Sequence, residues 1–242
     1  MQFNVEWFDS LNSTNAFLRK KLASTNEGLD GCVISTYEQT KGRGRGTRSW
    51  VSSPRTNLCF SFFIKTDVKL VDVPSSTMAV ALAVTEWLKE QGVNATPKWP
   101  NDVLVNGKKI CGILSEHVDQ GIVVGVGLNI NMNRDEAEKI DRPATSLFIE
   151  TGEMLPLSDA LESLLLKMGV WVERWKEGGF KAIQEIWIQQ AGPLGKPLCV
   201  HDGETIKTGK LAGFGSFGEL HLQTDQGFEI IWSGEIPLEK KS

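Results

Sequence analysis

The sequence predicts an α+β fold: a mixed, largely antiparallel sheet flanked by helices, with a small β-barrel at the C-terminal end. Three observations carry this. Residues 103–105, 110–118 and 122–130 read as strands joined by turns at Asn106-Gly107 and Asp119-Gln120-Gly121, and strands joined so tightly must run antiparallel. Apolar residues recur at helical spacing in the first half and again in the second. After Gly192-Pro193-Leu194-Gly195 the pattern changes to short strands between glycine turns, as in a small barrel.

The elements follow in order. Asn12 or Ser13 caps a helix reaching about residue 22, with Phe17, Leu18 and Leu22 on its apolar side. Residues 32–37 read as a strand, 39–56 as a long loop rich in Gly, Arg, Ser and Pro, and 58–64 as a strand. Residues 76–91 form a mostly buried helix ended near Gly92. Ser158 caps a helix carrying Leu161, Leu164, Leu165, Met168, Trp171, Val172 and Trp175, and a second helix covers 180–191. Strands at 197–201, 205–211, 219–223 and 228–232 complete the barrel. The domain boundary falls at 193/194, giving units 1–193 and 194–242. Trp171, Trp175, Trp187 and Trp232 are read as core residues.

Bulk composition excludes several classes. The chain has 242 residues and is 40% hydrophobic, which fits one large domain or one with a small companion. Lys+Arg number 26 against Asp+Glu 30, a net charge of −4, so a globally basic nucleic-acid binder is excluded. Cys32, Cys59, Cys111 and Cys199 are far apart without a CxxC and read as buried free thiols. His117, His201 and His221 have no metal-ligand spacing, and no metal site is expected. The first residues lack a signal-peptide pattern, and the apolar run at 78–84 is too short for a membrane span. A cytoplasmic protein with no membrane partner is expected.

Three elements carry chemistry. The first is Gln39-Thr40-Lys41-Gly42-Arg43-Gly44-Arg45-Gly46-Thr47-Arg48-Ser49-Trp50. Glycines let backbone approach a ligand, and arginines supply planar donors for carboxylate or phosphate. Four cations so close repel one another, so the loop is expected to stay loose until an anion neutralises it. A solvated basic loop or a nucleic-acid contact is the plainer reading of such a run. It is not a Walker A loop, because no GK[ST] ends it.

The second element is Lys98-Trp99-Pro100-Asn101-Asp102 followed by Asn106-Gly107-Lys108-Lys109-Ile110-Cys111-Gly112-Ile113-Leu114. It sets a lysine, an amide and a carboxylate at a tip between short strands, with further lysines entering the next strand. An ordinary hairpin with surface lysines, and Asp102 as a turn former, is the alternative. The third is Gly125-Val126-Gly127-Leu128-Asn129-Ile130-Asn131. Glycines weaken an apolar strand unless something lies against its backbone or a bulge requires them. Alternation puts Asn129 on the face of Gly125 and Gly127, where a flat ligand fits. Gly213-Phe214-Gly215-Ser216-Phe217-Gly218 matches GxGxxG, but a strand pattern follows instead of a helix, so these are turn glycines.

Taken together and in this order, the three elements resemble the biotin protein ligases. The resemblance extends to Asn12-Ser13-Thr14-Asn15, Ala144-Thr145-Ser146-Leu147 and the terminal Trp232-Ser233-Gly234-Glu235-Ile236. It is to the monofunctional class without the N-terminal DNA-binding winged helix, since the Ser-Thr-Asn motif begins at residue 13. It implies a catalytic domain like that of class II aminoacyl-tRNA synthetases, an SH3-like C-terminal barrel, and a two-step reaction. Biotin and MgATP give biotinyl-5′-adenylate and pyrophosphate, and a lysine of a biotin carboxyl carrier domain, as in acetyl-CoA carboxylase, then attacks the mixed anhydride. ATP and Mg2+ are the implied cofactors. A monomer or homodimer without a DNA partner is implied.

The resemblance also implies residue roles. Lys109, Arg43, Arg45, Asp102 and Lys98 form the catalytic set. Lys109 reaches the biotin carboxylate and the phosphate, Lys98 supports the pyrophosphate side, and Asp102 receives or orients the carrier amine. Biotin falls to Ser13, Thr14, Asn15, Gln39, Gly42, Arg43, Lys109, Gly112, Gly125 and Gly127. ATP falls to Arg45, Arg48, Trp50, Lys98, Asn101 and Asn129, with Trp50 stacking on or shielding adenine. Where the family loop has Arg-Gly, this chain has Gly46-Thr47, one cation fewer. The rivals are a lipoate or octanoate ligase or transferase of the same superfamily, some of which use a cysteine (here Cys111), and an anion- or RNA-binding module using the basic loop.

Overall fold

The computed structural model describes residues 1–24, 29–203 and 205–238. Its main body is a seven-stranded sheet of order β1-β2-β3-β7-β6-β5-β4. The strands are β1 (Asn4–Phe8), β2 (Cys32–Thr36), β3 (Asn57–Lys65), β4 (Thr96–Lys98), β5 (Asp102–Val105), β6 (Lys108–Val118) and β7 (Gly121–Asn129). Only β1 and β2 pair in parallel; every other neighbour is antiparallel. The mixed, largely antiparallel sheet inferred from the turns is therefore present. Asn106 and Gly107 both take positive φ, 49° and 76°, as a tight two-residue hairpin requires.

Helices cover one face. α2 (Val73–Glu90) is buried nearly all round, because it lies between the sheet and α5 (Leu157–Gly178). Phe60, Phe62, Val124, Val126, Leu128, Ile113 and Cys111 point into this layer with Leu164, Met168 and Trp175. Trp175 Nε1 donates to Ser75 Oγ at 2.8 Å and Trp87 Nε1 to Ser163 Oγ at 2.9 Å, so the indole polar atoms are satisfied where water is excluded. Leu164 is fully buried here. Leu164→Ala is expected to cost about 2–5 kcal/mol, lowering the melting temperature while substrate affinities stay at wild-type values.

The opposite face carries α1 (Thr14–Ala23), whose cap Ser13 accepts from Ala16 N–H. Leu18 packs with Ile34, Phe63 and Val123 under it. The rest of that face is open and forms the site described below.

Some expectations need correction. β1 and the three-residue β4 add two strands to those expected: β4 is too short to show an alternation, and β1 pairs with β2 in parallel across α1. α5 begins at Leu157 behind Pro156, so Ser158 does not cap it; its hydroxyl bonds Asp159 Oδ1. α2 begins at Val73, with a proline in its first turn where a missing N–H does no harm. Residues 179–182 form a 3-10 turn, and α6 runs only from Gln184 to Ala191. Short helices α3 (Arg134–Glu138) and α4 (Leu147–Thr151) were not anticipated. Trp232 is 53% exposed rather than core, and Cys199 is only partly buried.

After Gly192 come β8 (Pro197–Asp202), β9 (Thr205–Phe214), β10 (Leu220–Thr224) and β11 (Gly227–Ile231). They form a four-stranded antiparallel sheet of order β11-β10-β9-β8. Beyond β11 the chain crosses to the other edge, where His201 and Glu235 exchange both backbone hydrogen bonds at 2.8 Å. That return serves both edges with consecutive segments and leads Glu235 back to the main sheet. The Gly213–Gly218 glycines lie at the β9–β10 turn, and Trp99 Nε1 donates to Gly218 O at 3.0 Å. No helix among the described residues is long and apolar enough to cross a membrane.

Candidate active site

The floor of the site is a row read straight across the sheet: Asp102 opposite Gly112, Gly112 opposite Gly127, and Gly127 opposite Cys59. Opposed residues in an antiparallel pair share a face, so two bare glycines lie between a carboxylate and a thiol. The indole of Trp50 rests on them. A Cβ on Gly127 would stand 2.3 Å from Trp50 Cε2, and one on Gly112 would stand 3.1 Å from Cζ3. The flat group against the glycine face is thus the chain's own tryptophan. In the next row, a Cβ on Gly125 would meet Asn15 Oδ1 at 2.0 Å.

Lys109 reaches this face through an irregularity. Leu104 pairs with Lys109 but Val103 pairs with Cys111, so one extra residue sits in β6. Strict alternation would place Lys109 and Gly112 on opposite faces; the bulge re-aims the lysine. Its backbone is held by Pro143 O and Thr145 N–H, both at 2.9 Å. Lys109 Nζ lies 2.6 Å from Asp102 Oδ1, and Lys98 Nζ lies 3.8 Å from Asp102 Oδ2. Burial pulls the Lys98 ammonium below the usual lysine range against the pull of Asp102. The corner bearing these groups is rigid: Asn101 Nδ2 donates to Ile113 O at 2.7 Å, Ile113 N–H to Asn101 O at 2.9 Å, and Thr77 Oγ1 to Pro100 O at 2.8 Å.

The Gly/Arg loop folds over this floor as a small hairpin. Gly44 N–H donates to Arg48 O and Trp50 N–H to Gly42 O. Gly46 supplies φ +62° at the tip, which gives the displaced glycine a backbone reason. The cations are compensated inside the protein. Arg43 pairs with Glu116 at 3.3 Å, and Arg48 and Arg142 both pair with Glu235. Arg45 donates to Gly234 O at 2.9 Å and to Asn101 Oδ1 at 3.4 Å. Burial pulls the Arg45 guanidinium down, as does neighbouring Arg48. Burial alone pushes the Glu235 carboxyl up, but Arg142 and Arg48 outweigh it and hold the group below its ordinary range. The expected mutual repulsion is therefore offset only in part, by Glu116 on Arg43 and Glu235 on Arg48, while Arg45 still feels Arg48.

These elements enclose a cavity of about 400 Å3. Every residue that the resemblance assigns to catalysis, biotin or ATP lines it except Gly42, whose carbonyl instead accepts from the Trp50 N–H. Thr14 is held by Gln39 Oε1, 2.9 Å from its N–H. Asn129 donates to Thr145 O at 2.9 Å, while its Oδ1 is buried and unpartnered. Sequence reasoning missed Lys139, Ile140, Asp141, Arg142, Pro143 and Glu235 on the cavity wall, and Ser61 and Glu116 in its polar network. The terminal motif held Glu235 in view, but nothing in the sequence brings it across to residue 48. Cys111 points into the helix layer, fully buried, with its thiol pushed far up by burial, so it is no thiolate nucleophile. Among the described residues no group of three His, Cys, Asp or Glu side chains is placed to hold a metal.

Residues 7–133, more than half of the chain, match the model of the Biotin/lipoate A/B protein ligase family. The chain belongs to that family. This ligase-family chain is 30% identical over 223 residues to the biotin–[acetyl-CoA-carboxylase] ligase of Paracoccus denitrificans, covering 86% of itself and 91% of that protein. It is 29% identical over 239 residues to the bifunctional ligase/repressor BirA of Bacillus subtilis, covering 96% of itself and 73% of that protein. A solved biotin protein ligase from Aquifex aeolicus in complex with biotin and ATP superposes with a TM-score of 0.83 at 31% identity, covering 98% of this chain and 99% of the other.

Proposed function

We propose that this chain is a biotin–protein ligase that joins biotin to ATP as biotinyl-5′-adenylate and passes the biotin to a carrier lysine. The observation that carries this reading is Lys109 and Lys98 gathered around Asp102, beside a glycine floor under the Trp50 indole, in a chain 31% identical over nearly its whole length to a ligase solved with biotin and ATP. In the first step a biotin carboxylate oxygen attacks the α-phosphorus and pyrophosphate leaves. Two anions must meet, and fixed cations in a partly dry site offset their repulsion. Lys109, Arg43, Arg45 and Arg48 are assigned that task, and Lys98 the pyrophosphate side. Asn101 and the unpartnered Oδ1 of Asn129 offer hydrogen bonds to the nucleotide. Mg2+ is assigned to the nucleotide's phosphates, since such ions are often held by substrate phosphates rather than by an all-protein cage.

In the second step the carrier amine attacks the mixed anhydride and adenylate leaves. Asp102 orients that amine, and the partner is a biotin carboxyl carrier domain such as that of acetyl-CoA carboxylase. Ser13, Thr14, Asn15 and Gln39 take the ureido end of biotin. We assign residues 1–193 to catalysis and 194–242 to a second unit that lends Glu235. The test is purified protein with MgATP, an apo carrier domain, and labelled biotin or lipoate. Biotin-dependent pyrophosphate exchange and carrier labelling are expected; labelling by lipoate alone overturns the reading.

Arg45 ties the loop to Gly234 and Asn101. Arg45→Gly is expected to free that limb, release adenylate and label bystander lysines. A bystander-labelling assay at wild-type background counts against this role.

A further inference from the structure

Glu116 belongs to no motif read from the sequence and has no part in the reaction as assigned above. It stands on β6 on the site face, in step with Gly112 and Leu114. Its side chain is only 16% exposed. The carboxylate accepts from Asn15 Nδ2 at 2.9 Å, Arg19 Nη1 at 3.0 Å and Arg43 Nη1 at 3.3 Å. Two of these donors come from α1 and one from the Gly/Arg loop.

The Asn15 contact has a chemical consequence. An ionised carboxylate only accepts, so the end of the Asn15 amide facing it must be the NH2 group. That turns Asn15 Oδ1 toward Ser61 Oγ, 2.5 Å away, and over Gly125. With the Ser61 proton given to Asn15, Thr14 Oγ1 donates to Ser61 Oγ, 2.6 Å away, and the Thr14 N–H donates to Gln39 Oε1 at 2.9 Å. One buried chain of hydrogen bonds therefore runs from Gln39 through Thr14, Ser61 and Asn15 to Glu116, and Glu116 hands it on to Arg43. Its first members are the residues assigned to biotin. Its last is an arginine of the lid.

We infer that Glu116 is a positioning residue for biotin: it fixes the donor–acceptor sense of the hydrogen bonds at the biotin end and holds the Arg43 limb of the loop in place over it. This rests on the ligase reading above. A purely structural clamp between α1 and β6 is the competing role, and Arg19 separates the two, since it touches Glu116 without lining the cavity.

The experiment is steady-state biotin-dependent pyrophosphate exchange on the full chain. Glu116→Ala is expected to raise the KM for biotin about tenfold, as loss of charge-assisted hydrogen bonds does, with the KM for ATP changed less than about twofold. Glu116→Gln, nearly isosteric and still able to accept, recovers part of the loss and serves if the alanine variant fails to fold. Arg19→Ala keeps the wild-type KM for biotin. An unmoved KM for biotin in both Glu116 variants, a KM for ATP rising in step, or an Arg19→Ala variant equal to Glu116→Ala overturns the inference. A wild-type chain with no biotin-dependent exchange removes the ligase reading and this inference with it.

Discussion

Lys109→Ala is expected to lower biotin-dependent pyrophosphate exchange by about 10²–10³-fold, the usual loss when one fixed electrostatic stabiliser is removed from a site. The size follows from where the ammonium sits. It lies over the glycine floor, 2.6 Å from Asp102, and a bulge plus two backbone hydrogen bonds from residues 143 and 145 hold its strand. The variant loses the cation and leaves Asp102 with Lys98 alone at 3.8 Å. The negative charge that biotin and the α-phosphate must approach thereby grows as the positive charge shrinks. Lys109→Arg is expected to restore little, because a planar fork does not replace a compact ammonium between an indole and a carboxylate. Rapid-quench measurement of the first turnover reads the adenylation step directly. A first turnover within about threefold of wild type removes Lys109 from that step.

Gly127→Ala is expected to weaken biotin binding by about tenfold or more, since overpacking a filled contact costs about 1–3 kcal/mol and each step of about 1.4 kcal/mol is tenfold in affinity. The strand itself tolerates alanine: Gly127 lies in regular pairing with Cys59 and Gly112 and has no positive φ. The methyl group would instead stand 2.3–2.7 Å from three carbons of the Trp50 indole. That ring is not a flexible tip: it is a rigid indole lying on both Gly112 and Gly127, with Lys109 Nζ 5.7 Å from its centroid. It must lift, and the loop with it. Calorimetric titration with biotin reads the affinity, and a melting temperature near wild type shows that the loss is local. Wild-type biotin affinity in a folded Gly127→Ala chain means that the indole does not help to shape the site.

The sheet was legible because its signals are local. Asn106-Gly107 and Asp119-Gln120-Gly121 announce two hairpins, and the antiparallel order around β5, β6 and β7 follows from them. The glycines at 125 and 127 pointed to a bare face or a bulge, because glycine weakens an apolar strand otherwise; Gly112 joins them only once the register of β6 and β7 is known. What stayed hidden is long-range. The bulge that turns Lys109 inward leaves no trace in composition. The pairing of β1 with β2 is parallel and needs a helix between them, so no turn marks it. Glu116 reads as an ordinary polar residue on a strand until α1 and the loop arrive beside it. Trp232 misled because aromatic content suggests burial, whereas a small sheet has too little interior to enclose every large ring.

Arg48 and Glu235 are 187 positions apart, yet they meet at the lid. This sets an order on the making of the enzyme. A nascent chain emerging from the ribosome carries its floor, its lysines and its lid long before the carboxylate that fastens the lid exists. Until Glu235 is out, Arg48 and Arg142 lack the carboxylate they share, while Arg43 already has Glu116. A stop codon or a proteolytic nick just before Glu235 leaves the seven-stranded sheet complete and removes both that carboxylate and the strand pairing of Glu235 with His201.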